Sequence, residues 1–440
     1  MHFTLLRFVF GAVFTVLSFV AALFWFPSFI TRTTKRQFDW SLMAVLIASH
    51  FGLFALAFLV LHQQPQSDLP AAYVPEAHWV MSGKVPYRDF ISSYAPLNPY
   101  LHALVLKIKD SPLSLVVFQI LCDVASVPFW IGFLRRFMPE VAVRRAAILY
   151  ILQPLVLWEI CLNGKNHGCI TLLLAISMYY IGGCETVSGI SYGLSLVLVK
   201  ILPSIFMPTL ALGARRRTLW ILSALVFPIL VYGGFYLAGL DITVPVRLEG
   251  SKSTPNNLPY LLESLTGWNL PTVLVSVFTL LIVIAALAYS GWMQLKAPSS
   301  QARLRAVSWS TLFVLFALLI ANKKAFTSYL EMCFFLICAL TAWHVELKRR
   351  SVAWFYCILS LVALPVTSFW YSPLNMPTAV ELHSLWVAGN RDALVEMGLQ
   401  VLLLIALLGL GVRIARDLFE AGSAEAPLLT GSEAHPPIAG

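Results

Sequence analysis

Apolar residues fall in thirteen blocks along the chain, near 8–30, 41–62, 112–134, 143–161, 168–183, 187–200, 202–213, 217–238, 271–294, 306–322, 326–345, 352–371 and 394–412. Blocks that are apolar throughout predict helices in hydrocarbon, where a full crossing takes about twenty residues and a helix that stops partway takes fewer. The expected fold class is all-α: a polytopic membrane protein of about 13 transmembrane or half-membrane helices. The run from Ser191 to Arg217, SYGLSLVLVKILPSIFMPTLALGARRR, is interrupted by Lys200, Pro203 and Pro208. Proline removes a backbone donor and ends a helix, so this run predicts two half-length helices meeting at the KILP turn. A lysine at such a break usually faces a cavity or a partner, the alternative being a side chain that snorkels to the interface. The first block is long and lacks a small-residue cleavage site, so it reads as an uncleaved span.

The polar positions between blocks set the orientation. Eighteen of the thirty Lys and Arg crowd into short alternate turns, such as Arg32/Lys35/Arg36, Arg135/Arg136/Arg144/Arg145, Arg215–Arg217 and Lys348–Arg350. Such turns mark the cytoplasmic side. The long loops 63–111, 239–270 and 372–393 then share the outer face of one domain over residues 1–414. The small, acidic, Pro-rich tail 415–440 reads as cytoplasmic and disordered.

Composition agrees with this reading. Hydrophobic residues make up 59% and charged residues 12%, against roughly a quarter charged in a soluble domain, and mean hydropathy is +0.80. The net charge of +9 comes from the clustered turns, which makes it a topology signal and gives no indication of nucleic acid. The seven cysteines show no metal or CxxC spacing and read as packing residues. Within the spans, only Asp123, Glu159 and Lys200 stand out as charged.

The densest polar chemistry lies in the first long loop, SDLPAAYVPEAHWVMSGKVPYRDFISSYAPLNPY, with Asp68, Glu76, Asp89, Lys84, Arg88 and several tyrosines. Asp68 reads either as a working carboxylate or as the cap of the segment that follows it. Asp89 reads as a rival acid or as the partner of Arg88. Glu76 lies on an amphipathic stretch, suited to sugar hydroxyls or to water. Tyr73, Tyr87 and Tyr94 can stack on sugar rings or simply sit at the interface. His78 and His102 lack ligand spacing and read as hydrogen-bonding or surface groups.

The order of features resembles the GT-C superfamily of integral-membrane glycosyltransferases, in the mannosyltransferase-like branch. The features are an early outer Asp followed by PYRDF…YAPL, a later NGKNHG turn, a K-x-x-P break before RRR, and a KKAFTSYL turn. The likeness covers roughly residues 60–345. It implies a polyprenyl-phosphate-sugar donor, a glycan or lipid acceptor and a catalytic acid in the first outer loop, at the extracytoplasmic face of a bacterial inner membrane. Asp68, just after the second span, is the implied base, with Asp89 as rival. Family members place this acid after the first span and show a Gly-Asn/Gln-Asp pattern where this chain has LNGKNHG, with His167 near the missing Asp.

Sugar transfer to a hydroxyl needs a carboxylate to accept the proton and cations to hold the phosphate leaving group. The phosphate candidates are Lys200, then Lys165, Asn166 and His167, then Lys323 and Lys324, with Arg247 weaker. Glu76, Tyr87 and Arg88 join them as substrate-binding candidates. No cofactor is expected, since the first loop lacks a DxD pair for a divalent cation. The loop from Arg247 to Asn269 is expected to cover the site. Three alternatives remain: a lipid-linked-sugar flippase, a polysaccharide polymerase or ligase, and a secondary transporter, although no internal repeat supports the last.

Overall fold

The computed structural model describes residues 2–24, 28–66, 68–250, 253–366 and 377–422. Ser67, residues 372–376 of the third loop and residues 423–440 of the expected tail lie outside them. Among the described residues the backbone is helical, apart from turns and one isolated bridge between Pro86 and Phe90. Hydrocarbon offers no partner to backbone N–H and C=O groups, so apolar segments satisfy them internally as helices.

Among the described residues eight helices are long and apolar enough to cross a membrane, or nine if the bent pair Glu140–Ile151 and Pro154–Cys161 counts as one. The chain is a polytopic membrane protein. The spans Thr327–Glu346 and Ser300–Ala321 are 94% and 78% buried inside the protein, whereas Thr272–Lys296 and Arg217–Leu237 are only 11% and 17% buried. The first two therefore form the centre of the bundle, and the apolar sides of the others face lipid.

The turns sort onto two faces, and ion pairs draw the basic face together. Arg135 makes paired hydrogen bonds to Asp39 (2.7 and 2.8 Å) and to Glu140 (both 2.9 Å). Arg145 reaches Glu346 at 2.9 Å, and Glu185 accepts from the Arg215 backbone at 2.6 Å. His344, Asp417, Arg413, Arg349 and Glu420 form one further cluster. This cluster gives the last turns of the Arg391–Gly422 helix partners, so 415–422 is regular helix, a correction to the boundary expected at residue 414.

Three local devices shape the opposite, loop-bearing face. At Gln153–Pro154 the proline donates nothing and Gln153 caps Leu155 through Oε1 at 3.1 Å, while its Nε2 donates to Ser360 Oγ at 3.0 Å. The span bends there by 51°. The helix Glu185–Leu198 ends before Lys200, and its last carbonyls are taken by the first loop: Val199 O accepts from Ala95 N at 3.2 Å and Leu198 O from Asn98 Nδ2 at 3.1 Å. The expected break at KILP is thus present, with a short 3-10 turn, Leu202–Phe206, leading into Met207–Gly213.

The third device is the turn at Gly164, where φ is +58° and an added Cβ would sit 2.8 Å from Leu69 Cδ1. A glycine is needed both for the dihedral and for the close approach to the residue after Asp68. Gly164→Ala is expected to lower stability by about 1–3 kcal/mol. Gly233→Ala, with no atom within 4 Å of the added carbon, should leave it unchanged or slightly raised. Thermal unfolding in detergent measures both.

Candidate functional site

Asp68 precedes the π-helical turn Leu69–Tyr73, and its side chain makes no cap hydrogen bond there. Instead Lys165 Nζ donates to Asp68 Oδ2 at 2.8 Å and Tyr73 OH donates to the same oxygen at 3.4 Å. The cap alternative is therefore not what this structure contains. Burial alone would raise the Asp68 carboxyl. The charges of Lys165 and Lys200 and the Lys165 hydrogen bond outweigh it, holding the group well below the usual carboxylate range. Burial likewise disfavours the Lys165 ammonium, yet Asp68 and then Glu159 keep it above its usual value.

Lys200 lies over two rings, 5.3 Å from the centre of Tyr94 and 5.4 Å from Tyr329. Aromatic faces attract a cation and exclude water from it, so this lysine occupies an aromatic slot and does not snorkel away. Lys324 is buried, pairs with Glu249 and lies within electrostatic reach of Lys200, Lys165 and Asp68. The second loop secures the turn that carries it, through Thr254 N to Lys323 O at 3.0 Å and Asn257 Nδ2 to the same oxygen at 3.1 Å.

Behind the pair, the Asn166 backbone N–H reaches Tyr73 OH at 3.4 Å, and His167 Nδ1 is 3.2 Å from Glu331 Oε2. Gly168 permits this depth, because an added Cβ would meet Gln119 O at 2.7 Å. Asp68, Lys165, Asn166, His167, Lys200 and Lys324 are therefore one constellation, assembled from four separate stretches of chain.

Other candidates hold different places. Asp89 pairs with Arg88 at 2.9 Å and accepts from Val85 N at 2.7 Å; its charged neighbours are Arg88 and Lys84, none of them from the constellation. Both Asp89 and Arg88 belong to a surface turn, apart from that constellation. The turn serves the site indirectly. Tyr87, at φ +66°, donates its hydroxyl to Tyr94 O and so fixes one wall of the Lys200 slot. Tyr87 thus supports the site through Tyr94. Arg247 is exposed and pairs with Asp241 at 2.8 Å, and Lys323 turns to Glu263 at 3.5 Å. Tyr73 and Tyr94 pack edge to face on each other at 5.1 Å.

Glu76 is buried and accepts from Ser92 Oγ at 2.8 Å. Burial raises its carboxyl from the usual 4.5 to about 7. Residues not expected from the sequence also appear. Glu331 and Tyr329 lie inside an apolar block, and His50 Nε2 sits 3.1 Å from Asp123 Oδ2 while Tyr150 OH donates to Asp123 Oδ1 at 2.5 Å. The expectation that only Asp123, Glu159 and Lys200 charge the spans missed Glu331; a lone acid within an apolar run was the available signal.

No protein-family model, curated protein or solved structure matches the chain.

Because Glu76 binds its proton more tightly folded than unfolded, folding stability should fall as pH rises from about 4.5 to about 7. The loss amounts to about 3 kcal/mol at most. Glu76→Gln should flatten that part of the pH–stability curve, measured by thermal unfolding of both proteins across pH 4–8.

Proposed function

We propose that the chain is a GT-C-like membrane glycosyltransferase of about thirteen transmembrane or half-membrane helices, moving a hexose, mannose by resemblance, from a polyprenyl-phosphate donor to an acceptor hydroxyl on the extracytoplasmic side. The observation that carries the reading is the Asp68 carboxylate at the loop-bearing face, 2.8 Å from Lys165, with Lys200 and Lys324 within electrostatic reach. The pairing supplies both charges that the reaction requires. The acceptor O–H gives its proton to the Asp68 carboxylate as the acceptor oxygen bonds to the anomeric carbon. The bond from that carbon to the phosphate oxygen breaks, and its electron pair leaves with polyprenyl phosphate, whose extra negative charge the lysines stabilise.

A carboxylate held this firmly by an ammonium is a weak base. An entering phosphate draws hydrogen bonds from Lys165 and Lys200, which loosens Asp68 and restores its basicity. Donor binding and base activation are thereby linked through the same two ammonium groups.

A proton-coupled transporter is the second reading. The buried His50–Asp123–Tyr150 network favours it, since ionisable groups within spans commonly carry protons. That reading expects proton uptake into proteoliposomes that is lost in Asp123→Asn; the transferase reading expects none.

Asp68→Asn should cut sugar transfer from a labelled polyprenyl-phosphate donor by about 10²–10⁴-fold, and Asp89→Asn should leave it near the parent rate. Equal activity in the parent and Asp68→Asn removes the reading. Since the base must be deprotonated, removing the ammonium beside it raises the pH at which it works. Lys165→Met should therefore move the acid limb of kcat/KM upward by about 1–3 pH units.

A further inference from the structure

Inward of the Asp68–Lys165 pair, exposure falls from 34% at Asp68 and 16% at Lys165 to 1% at both His167 and Glu331. At this depth four side-chain atoms have no hydrogen-bond partner among the described residues: Asn166 Oδ1 and Nδ2, His167 Nε2 and Glu331 Oε1. A buried polar group left unpaired costs about 1–3 kcal/mol, and in native proteins such groups are few. Two adjacent residues and the partner of one of them concentrate that penalty at one spot. A structural role does not explain it, because His167 Nδ1 and Glu331 Oε2 already satisfy each other at 3.2 Å and still leave their outer atoms unmatched.

The hydrogen-bonding character of the spot is specific. The Asn166 amide offers two donors and an acceptor, Glu331 Oε1 accepts, and His167 Nε2 donates or accepts according to its tautomer. A hydroxyl both donates and accepts, so a ring bearing several hydroxyls matches this set. A set that mixes donors with acceptors does not suit a lone anion, which only accepts, or a lone cation, which only donates or coordinates. The spot also adjoins the cations. Asn166 directly follows Lys165, and Tyr329 stands edge-on to His167 at 5.8 Å while its face meets Lys200 at 5.4 Å.

We infer that Asn166, His167 and Glu331 form a subsite for a neutral polyhydroxyl ring, the sugar end of the ligand whose phosphate Lys165 and Lys200 hold. The inference rests on the transferase reading and assigns the part of the donor that the lysines leave unread. Tyr329 is the wall common to the two halves.

The test compares the binding of two probes, a bare polyprenyl phosphate and the same lipid carrying a hexose, to the purified full-length protein in detergent. The parent protein should bind the sugar-bearing lipid about tenfold more tightly, the worth of one or two net hydrogen bonds. Asn166→Ala and the isosteric Glu331→Gln should each bring the two affinities together while leaving that of the bare phosphate unchanged. If the parent binds both lipids equally, or the variants retain the preference, the subsite is wrong and the phosphate reading stands. Variants that lose the bare lipid as well also overturn it, since those residues then serve the phosphate or the fold. If the parent binds neither lipid, the transferase reading fails and the subsite fails with it.

Discussion

One ion pair organises the loop-bearing face: the 2.8 Å contact between Asp68 and Lys165. It joins the end of the second span to the turn after a bent one, and both ends depend on backbone detail. The bend comes from Gln153–Pro154, and the turn comes from Gly164 packed on Leu69. Removing one partner of such a pair would strand a half-buried charge, which costs up to about 3–5 kcal/mol when burial is complete. The pair is therefore stable in the absence of ligand, yet both members remain partly open to a competitor with stronger charge.

Around that pair the protein gathers two further lysines. Lys200 and Lys324 lie within reach of Asp68 and Lys165, one in a slot between two tyrosines and the other tied to Glu249. Like charges so placed repel, and packing restores the difference: the first loop holds Lys200 by capping Val197–Val199, and the second loop holds Lys324 by hydrogen bonds to its turn. Such an arrangement suits an anion. Deeper groups, the His167–Glu331 pair and the His50–Asp123–Tyr150 network, are hydrogen-bonded to one another and extend polarity into the bundle.

Much of the architecture was legible because hydrocarbon permits few solutions. A long apolar block must be helical, and Lys200 with Pro203 could only mark a break. The partnership of Asp68 was not legible. Its distance to Lys165 depends on how Gly164 meets Leu69, a contact between residues 95 apart in sequence. The two readings of Asp89 could not be told apart, because an exposed Arg–Asp turn has the same letters as a working pair. Glu331 went unread because the apolar residues around it dominate any average over its block, and only the folded chain puts it against His167. The helix through Gly422 was hidden in the same way, since Asp417 and Glu420 have, besides the nearby Arg413, partners some seventy residues away in sequence, at His344 and Arg349.

The most direct measurement is a cryo-EM map of the protein with a non-reactive polyprenyl-phosphate-sugar analogue bound. The account expects the phosphate within hydrogen-bond distance of Lys165 and Lys200, Asp68 released from Lys165 and turned to the anomeric carbon. A phosphate bound elsewhere, with the Asp68–Lys165 contact intact, would contradict it.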